Sequence, residues 1–276
     1  MDLIHTQTQS GKGRRPEQFR ERLTGIAVDA VDRLWAVGDQ EVKRFSVDGA
    51  LEHRFPTRSP GWSIAVDGES LWLGMQGTID RFDFQGKLQG SIKDKQHLGI
   101  VTGLAVKGDM LLAADATNRT IHRYEDGAWQ REVGGEVNTR GFMIPNGVLD
   151  LALDVRNQAF VVAHPQKHRV ERYDLAGKLM DKFGRFGMQD PADFGGCCNP
   201  TNITATAEGV IAVSEKAPPR VKVFTSDGKF VAQSADGLFD ANTKNVDLAA
   251  DGRGRLYATD PLRCTIVVFD LGALAD

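Results

Sequence analysis

The chain has little cysteine: Cys197, Cys198 and Cys264 are all there is in 276 residues, too few for a disulfide framework. It has no apolar run approaching the ~20 residues that span a bilayer as a helix. The opening MDLIHTQTQSGKGRR lacks the apolar core of a secretory signal, which points to a cytosolic chain or an exported one written without its leader. Basic residues are not in excess: 34 Lys and Arg face 37 Asp and Glu, a net charge of −3, so attraction of the whole chain to nucleic acid is not indicated. Also missing are a G-x-S-x-G elbow, a P-loop, a C-x-x-C pair and any long segment with the 3.6-residue period of a helix. A hydrophobic content of 41% is nonetheless enough for a packed core, which excludes a disordered chain.

What is present is a repeat. A short apolar strand of the form G-I-A-V-D, a second strand, a loop, a third strand ending in an aromatic and a turn recur six times, from Thr24, Trp62, Thr102, Asp150, Thr201 and Val246. The copies begin about 40 to 50 residues apart, the spacing of four-stranded propeller blades. Asp48-Gly49, Gln85-Gly86, Asp126-Gly127, Ala176-Gly177 and Asp227-Gly228 mark the hairpin between third and fourth strands in five copies. The sixth lacks that turn and ends without a fourth strand. The alternating LIHTQTQ at residues 3–9 is the candidate to supply it, since an unclosed ring exposes a strand edge. The expectation is an all-β, six-bladed β-propeller occupying 1–276 as one domain and closed by its N-terminal strand.

VTGLAVKGDMLLAADATNRTIHRYEDG resembles the NHL repeat, with its P-x-G-[IV]-A-V-D, D-x-x-N-x-R-[IV] and F-D-x-x-G elements. HPQKHRVERYDLAGKLMDKFG, FGGCCNPTNI and SEKAPPRVKVFTSDGKFV are similar to a group of bacterial NHL-repeat proteins carrying F-C-G-C-C-N-P-T-H-I and S-E-K-x-x-x-R-V-K-V. Two positions differ: Gly195 stands where that group has a first cysteine, and Asn202 where it has histidine. In such a propeller, each link between blades and each loop between second and third strands lies on one face, around the central mouth.

Residues 194–202 are such a link, entering blade five. Where second strands end, copies one, three and six place Asp39, Asp115 and Asp260, the residue type that caps a loop by accepting backbone N–H bonds. Blades four and five depart from this, with His164 and with Glu215-Lys216. Departures from a chain's own repeat are where function concentrates. The candidate ligand-binding residues are therefore Cys197, Cys198, Asn199, Asn202, Glu215, Lys216, Arg220, His164, Asp115 and Asp260. Glu215 and His164 are the candidates for moving a proton.

Four readings of Cys197 and Cys198 stand side by side: ligands of a soft metal ion whose site Cys264 or His164 completes, a vicinal disulfide forming a small platform, a thiolate activated by Lys216 and His164, and two packed thiols. The cofactor expected is a soft or divalent metal ion. Arg119, Lys167, Arg169, Lys216, Arg220 and Arg263 gather on the same face and suit an anionic ligand. The expected partner is thus a small molecule or ion bound at the mouth. The alternatives are a metal-assisted lactonase- or lyase-like enzyme, and an interaction module for RNA or protein; stacking aromatics, which RNA would need, are not evident in those loops.

Overall fold

The computed structural model describes residues 2–272. Six four-stranded antiparallel sheets stand in a ring. Their inner strands are Gly25–Val28, Ser63–Asp67, Val101–Lys107, Asp150–Asp154, Ile203–Ala205 and Leu248–Ala250, one for each repeat copy. All five Gly-containing turns fall between third and fourth strands, as their positive-φ glycines require. Each of those five outer hairpins carries a register shift beside the aromatic near the end of the third strand, for example at Arg44/Phe45 and Arg172/Tyr173. The aromatics Phe45, Tyr124, Tyr173, Phe224 and Phe269 are buried, filling the wedge between neighbouring blades.

The ring closes as the sequence predicts. Strand Ile4–Ser10 pairs antiparallel with Thr265–Asp270 as the outer strand of blade six. Leu3 N–H also donates to Gln233 O of blade five at 2.8 Å, and the Leu3 side chain is buried among Val221, Leu256 and Phe269. The first residues thus tie the last blade to the one before it. Among the described residues no helix is long and apolar enough to cross a membrane.

Register fixes which positions are equivalent. Ile26, Ile64, Leu104, Leu151, Ile203 and Leu248 pair with Ala36, Leu73, Ala113, Val162, Val213 and Ala258 on the second strands. Those pair in turn with Lys43, Asp80, His122, Glu171, Lys222 and Val267 on the third. Five of the six third-strand positions are therefore ionisable and all five are buried. Their role is visible in what they touch. Lys43 Nζ donates to the carbonyls of Pro16 and Gln18, Asp80 accepts from Arg58, Glu171 accepts from Asn138, and Lys222 donates to Asp193 O. Each partner lies in the link entering that blade, so in these four blades a buried charge pins the link to the rim.

Candidate functional site

The loop aspartates behave as caps that also hold the links. Asp39 accepts from the backbone N–H of Arg20, Glu21 and Arg22. Asp115 accepts from Gly99, Thr117 and Asn118, and Asp260 from Asp240, Leu262 and Arg263. Burial alone would raise the Asp115 carboxyl; hydrogen bonds from His122, Gly99 and Asn118 outweigh it and hold the group below its usual value. Asp115 and Asp260 are fully buried, so the structure places both beneath the mouth rather than on it.

His164 and Glu215 are also fully buried. His164 Nε2 accepts from Met143 N–H at 3.0 Å, which puts the ring proton on Nδ1, 3.1 Å from Glu171. Glu171 is further held by Arg169, Asn138 and Tyr173. Against the pull of burial, the bonds from His164 and Tyr173 keep its carboxyl far below the ordinary range. Blade five exchanges the charges: Glu215 accepts from Arg220 and lies 3.2 Å from Lys222 Nζ. Burial lowers the Lys222 ammonium, with Glu215 opposing. With both ring nitrogens engaged, His164 has no free position for a ligand's proton. Glu215 sits behind Arg220, which is itself spent on it.

This accounts for part of the basic face too. Arg169 and Arg220 lie on buried carboxylates, and Arg263 faces Asp260 and Asp240. Arg119 remains exposed, while Lys167 and Lys216 are half-buried.

The Cys-Cys link does reach the surface. Cys197 is exposed and Cys198 buried, with their Sγ atoms 2.8 Å apart. The loop is rigid for identifiable reasons. Asn199, fully buried, donates to Gly195 O at 2.6 Å and to Ala217 O, and accepts from Lys216 N–H at 2.8 Å. Gly196 adopts φ +67°, and a side chain there would strike Ala217 O. Burial and the contact with Cys197 push the Cys198 thiol up, while the Lys216 ammonium acts in the other direction. At Gly195, on the same link, opens a cavity of about 230 Å³ lined also by Met188, Pro218 and Arg220. Cys264 lies elsewhere, in the core between blades six and one with Phe19 and Ile266, its thiol pushed up to about 11 by burial.

Gly195 explains a residue that carried no signal in the sequence. A Cβ built on it would meet Met188 Sδ at 2.8 Å, and Gly196 N–H donates to that same sulfur at 3.2 Å. A thioether thus fills the space into which a side chain at 195 would project. Among the described residues no three His, Cys, Asp or Glu side chains converge as a metal cage.

Asn202 goes to a different place, the throat of the ring. The positions that precede the equivalent inner-strand apolar residues are Gly25, Ser63 and Gly103 in blades one to three, and Asp150, Asn202 and Asp247 in blades four to six. Asp150 accepts from Ile203 N–H at 2.9 Å, Asn202 Nδ2 lies 3.4 Å from Asp247 Oδ1, and Asp247 accepts from Ile26 N–H at 2.7 Å. Each of these side chains therefore reaches to the next blade. Burial and the neighbouring Asp247 raise the Asp150 carboxyl well above its usual value, and burial raises Asp247 to about 7. Neither aspartate belongs to a motif; only alignment of the six inner strands on their apolar residue separates them from the glycines and serine.

Neither a protein-family model nor a curated protein sequence matches the chain. Solved structures do match it in fold. Virginiamycin B lyase from Staphylococcus aureus is 15% identical over 92% of this chain and 81% of its own, with a TM-score of 0.60. A Bacteroides thetaiotaomicron protein of unknown function is 14% identical over 95% and 74%, at 0.67. U3-55K is 12% identical over 98% and 100%, at 0.66. At these identities the likeness carries the propeller fold and nothing finer.

Proposed function

We propose that this chain is an NHL-type propeller that binds a soft metal ion at its mouth through Cys197 and Cys198, with Met188 as a third sulfur ligand. The observation that carries this reading is the Met188 thioether in the space of a side chain at position 195, next to two thiols 2.8 Å apart. Thiolate and thioether ligands select soft ions such as Cu(I). Binding displaces both thiol protons, and two thiolates around a monovalent ion leave one negative charge. Lys216, whose ammonium acts on Cys198, neutralises it. Cys197 is exposed and free to turn as the sulfurs separate around the ion, whereas Asn199 keeps Cys198 in place. Lys216 is the remaining charged contact of this site; Asn199 holds its loop, and Arg220, Glu215 and His164 support it from below.

Anaerobic competition for Cu(I) against a chromophoric chelator tests the reading. One ion per chain is expected, lost in Cys197→Ser and in Cys198→Ser, and weakened about tenfold, or ~1.4 kcal/mol, in Met188→Leu. No retained ion, or unchanged affinity in both serine variants, would overturn it. The 2.8 Å separation also favours a second reading, a ligand platform formed by joining the two thiols. Thiol titration separates the two: mild oxidation removes two of three free thiols only if the pair joins.

A further inference from the structure

The throat carries an arrangement that the rim does not. Asp150 and Asp247 stand on blades four and six with the Asn202 amide between them, and each carboxylate accepts a backbone N–H near the start of the next blade's inner strand, Ile203 and Ile26 respectively. Among the described residues neither forms an ion pair with Lys, Arg or His, unlike buried Glu171, Glu215 or Asp80. Two buried carboxylates without a cation are costly, because burial penalises the charged form and each raises the other.

A second observation comes from Asn202 itself. Its side chain is 3% exposed, yet its Oδ1 is a buried atom with no hydrogen-bond partner. Its Nδ2 contact to Asp247 is long, at 3.4 Å, compared with the usual 2.7–3.2 Å. Which end of an amide is nitrogen is decided by its partners. In the present orientation the N–H₂ group supplies partial positive charge to the two aspartates and strands the oxygen. Turned over, the amide would aim Oδ1 at the same two carboxyls, an all-oxygen cluster that needs either a proton on a carboxyl or a cation to hold it together. Nearby, in the links entering the same two blades, Asn146 Nδ2 meets Asn245 Oδ1 at 3.1 Å, and Asn146 Oδ1 likewise has no partner.

We propose that the throat of the ring binds one hard divalent cation, of the calcium or magnesium class, between Asp150, Asp247 and the turned Asn202 amide oxygen. Carboxylate and amide oxygens are the ligands such ions take, completed by water. The room for that water exists: both aspartates line a cavity of about 360 Å³ running along all six inner strands. Opposite them, Gly25, Ser63 and Gly103 contribute no bulk. This site is chemically distinct from the sulfur site at the mouth, since hard ions avoid thiolates and soft ions prefer them.

The test uses the full chain stripped with a chelator and titrated with Ca²⁺ by calorimetry, and with Mn²⁺ by electron paramagnetic resonance. One saturable ion per chain is expected, with a rise in melting temperature. The double variant Asp150→Asn/Asp247→Asn keeps an acceptor oxygen for the Ile203 and Ile26 N–H groups and so keeps the clamps. Its affinity should fall at least about tenfold, or ~1.4 kcal/mol, while its ion-free melting temperature serves as the folding control. Asn202→Asp, which adds a third carboxylate, should tighten binding, and Cys197→Ser should leave it unchanged. No saturable binding to the wild-type chain, or equal affinity in the double variant, would overturn the proposal.

Discussion

The two halves of the throat are built on one register and differ in chemistry. Blades one to three open their inner strands with Gly25, Ser63 and Gly103, and blades four to six with Asp150, Asn202 and Asp247. The cysteine link enters blade five, in the middle of the second half. On the first half the residue at this position is small because the next blade's backbone lies against it: a Cβ on Gly25 would sit 3.3 Å from Ser63 Cα, and one on Gly103 3.1 Å from Asp150 Cα. On the second half the same direction is used by long polar side chains to clamp the next strand. A symmetric repeat can thus be one-sided in its chemistry, because a single register position carries small residues on three blades and polar side chains that reach the next blade on the other three.

The comparison can be broken in order of severity. Deleting residues 2–10 removes the outer strand of blade six and unties the polar half at its edge. A loss of several kcal/mol is expected, about 10 °C or more in melting temperature, measured by calorimetry; an unchanged melting curve would contradict the closure. Next, Gly103→Ala pushes a methyl against Asp150 Oδ1 at 2.7 Å and against its backbone. Overpacking of that kind costs about 1–3 kcal/mol, and denaturant unfolding should detect it, whereas Gly90→Ala, with open space at its Cβ, should be close to neutral. The smallest effect is one of pH. Asp247 titrates at about 7 in the folded chain and near 3.9 when unfolded, so the folded state binds the extra proton between those values. Ion-free stability should therefore fall as pH rises from about 4 to above 7, and Asp150→Asn/Asp247→Asn should flatten that slope.

The ring was legible in the sequence because its signals are local. Each copy carries its own apolar strand, aromatic and Gly turn, and the missing turn of the sixth matches the alternating residues 3–9. The departures at His164 and Glu215 were legible too, but not their meaning. Each is completed by an ionisable residue seven positions on, Glu171 and Lys222, the same step that joins Asp115 to His122. That pairing appears only once the second and third strands are registered, and it places both residues in buried charged pairs. Met188 is exposed in an irregular link, where no period marks it; its proposed role rests on its contacts with Gly195 and Gly196. Asp150 and Asp247 look like ordinary strand openings until six strands are laid side by side.

The sulfur site in the polar half is the claim on which the functional reading rests, and X-ray absorption at the copper edge tests it most directly. The chain loaded with one equivalent of Cu(I) should show a first shell of three sulfur atoms, falling to two in Met188→Leu. A shell of nitrogen or oxygen, or one unaltered by that substitution, would contradict it.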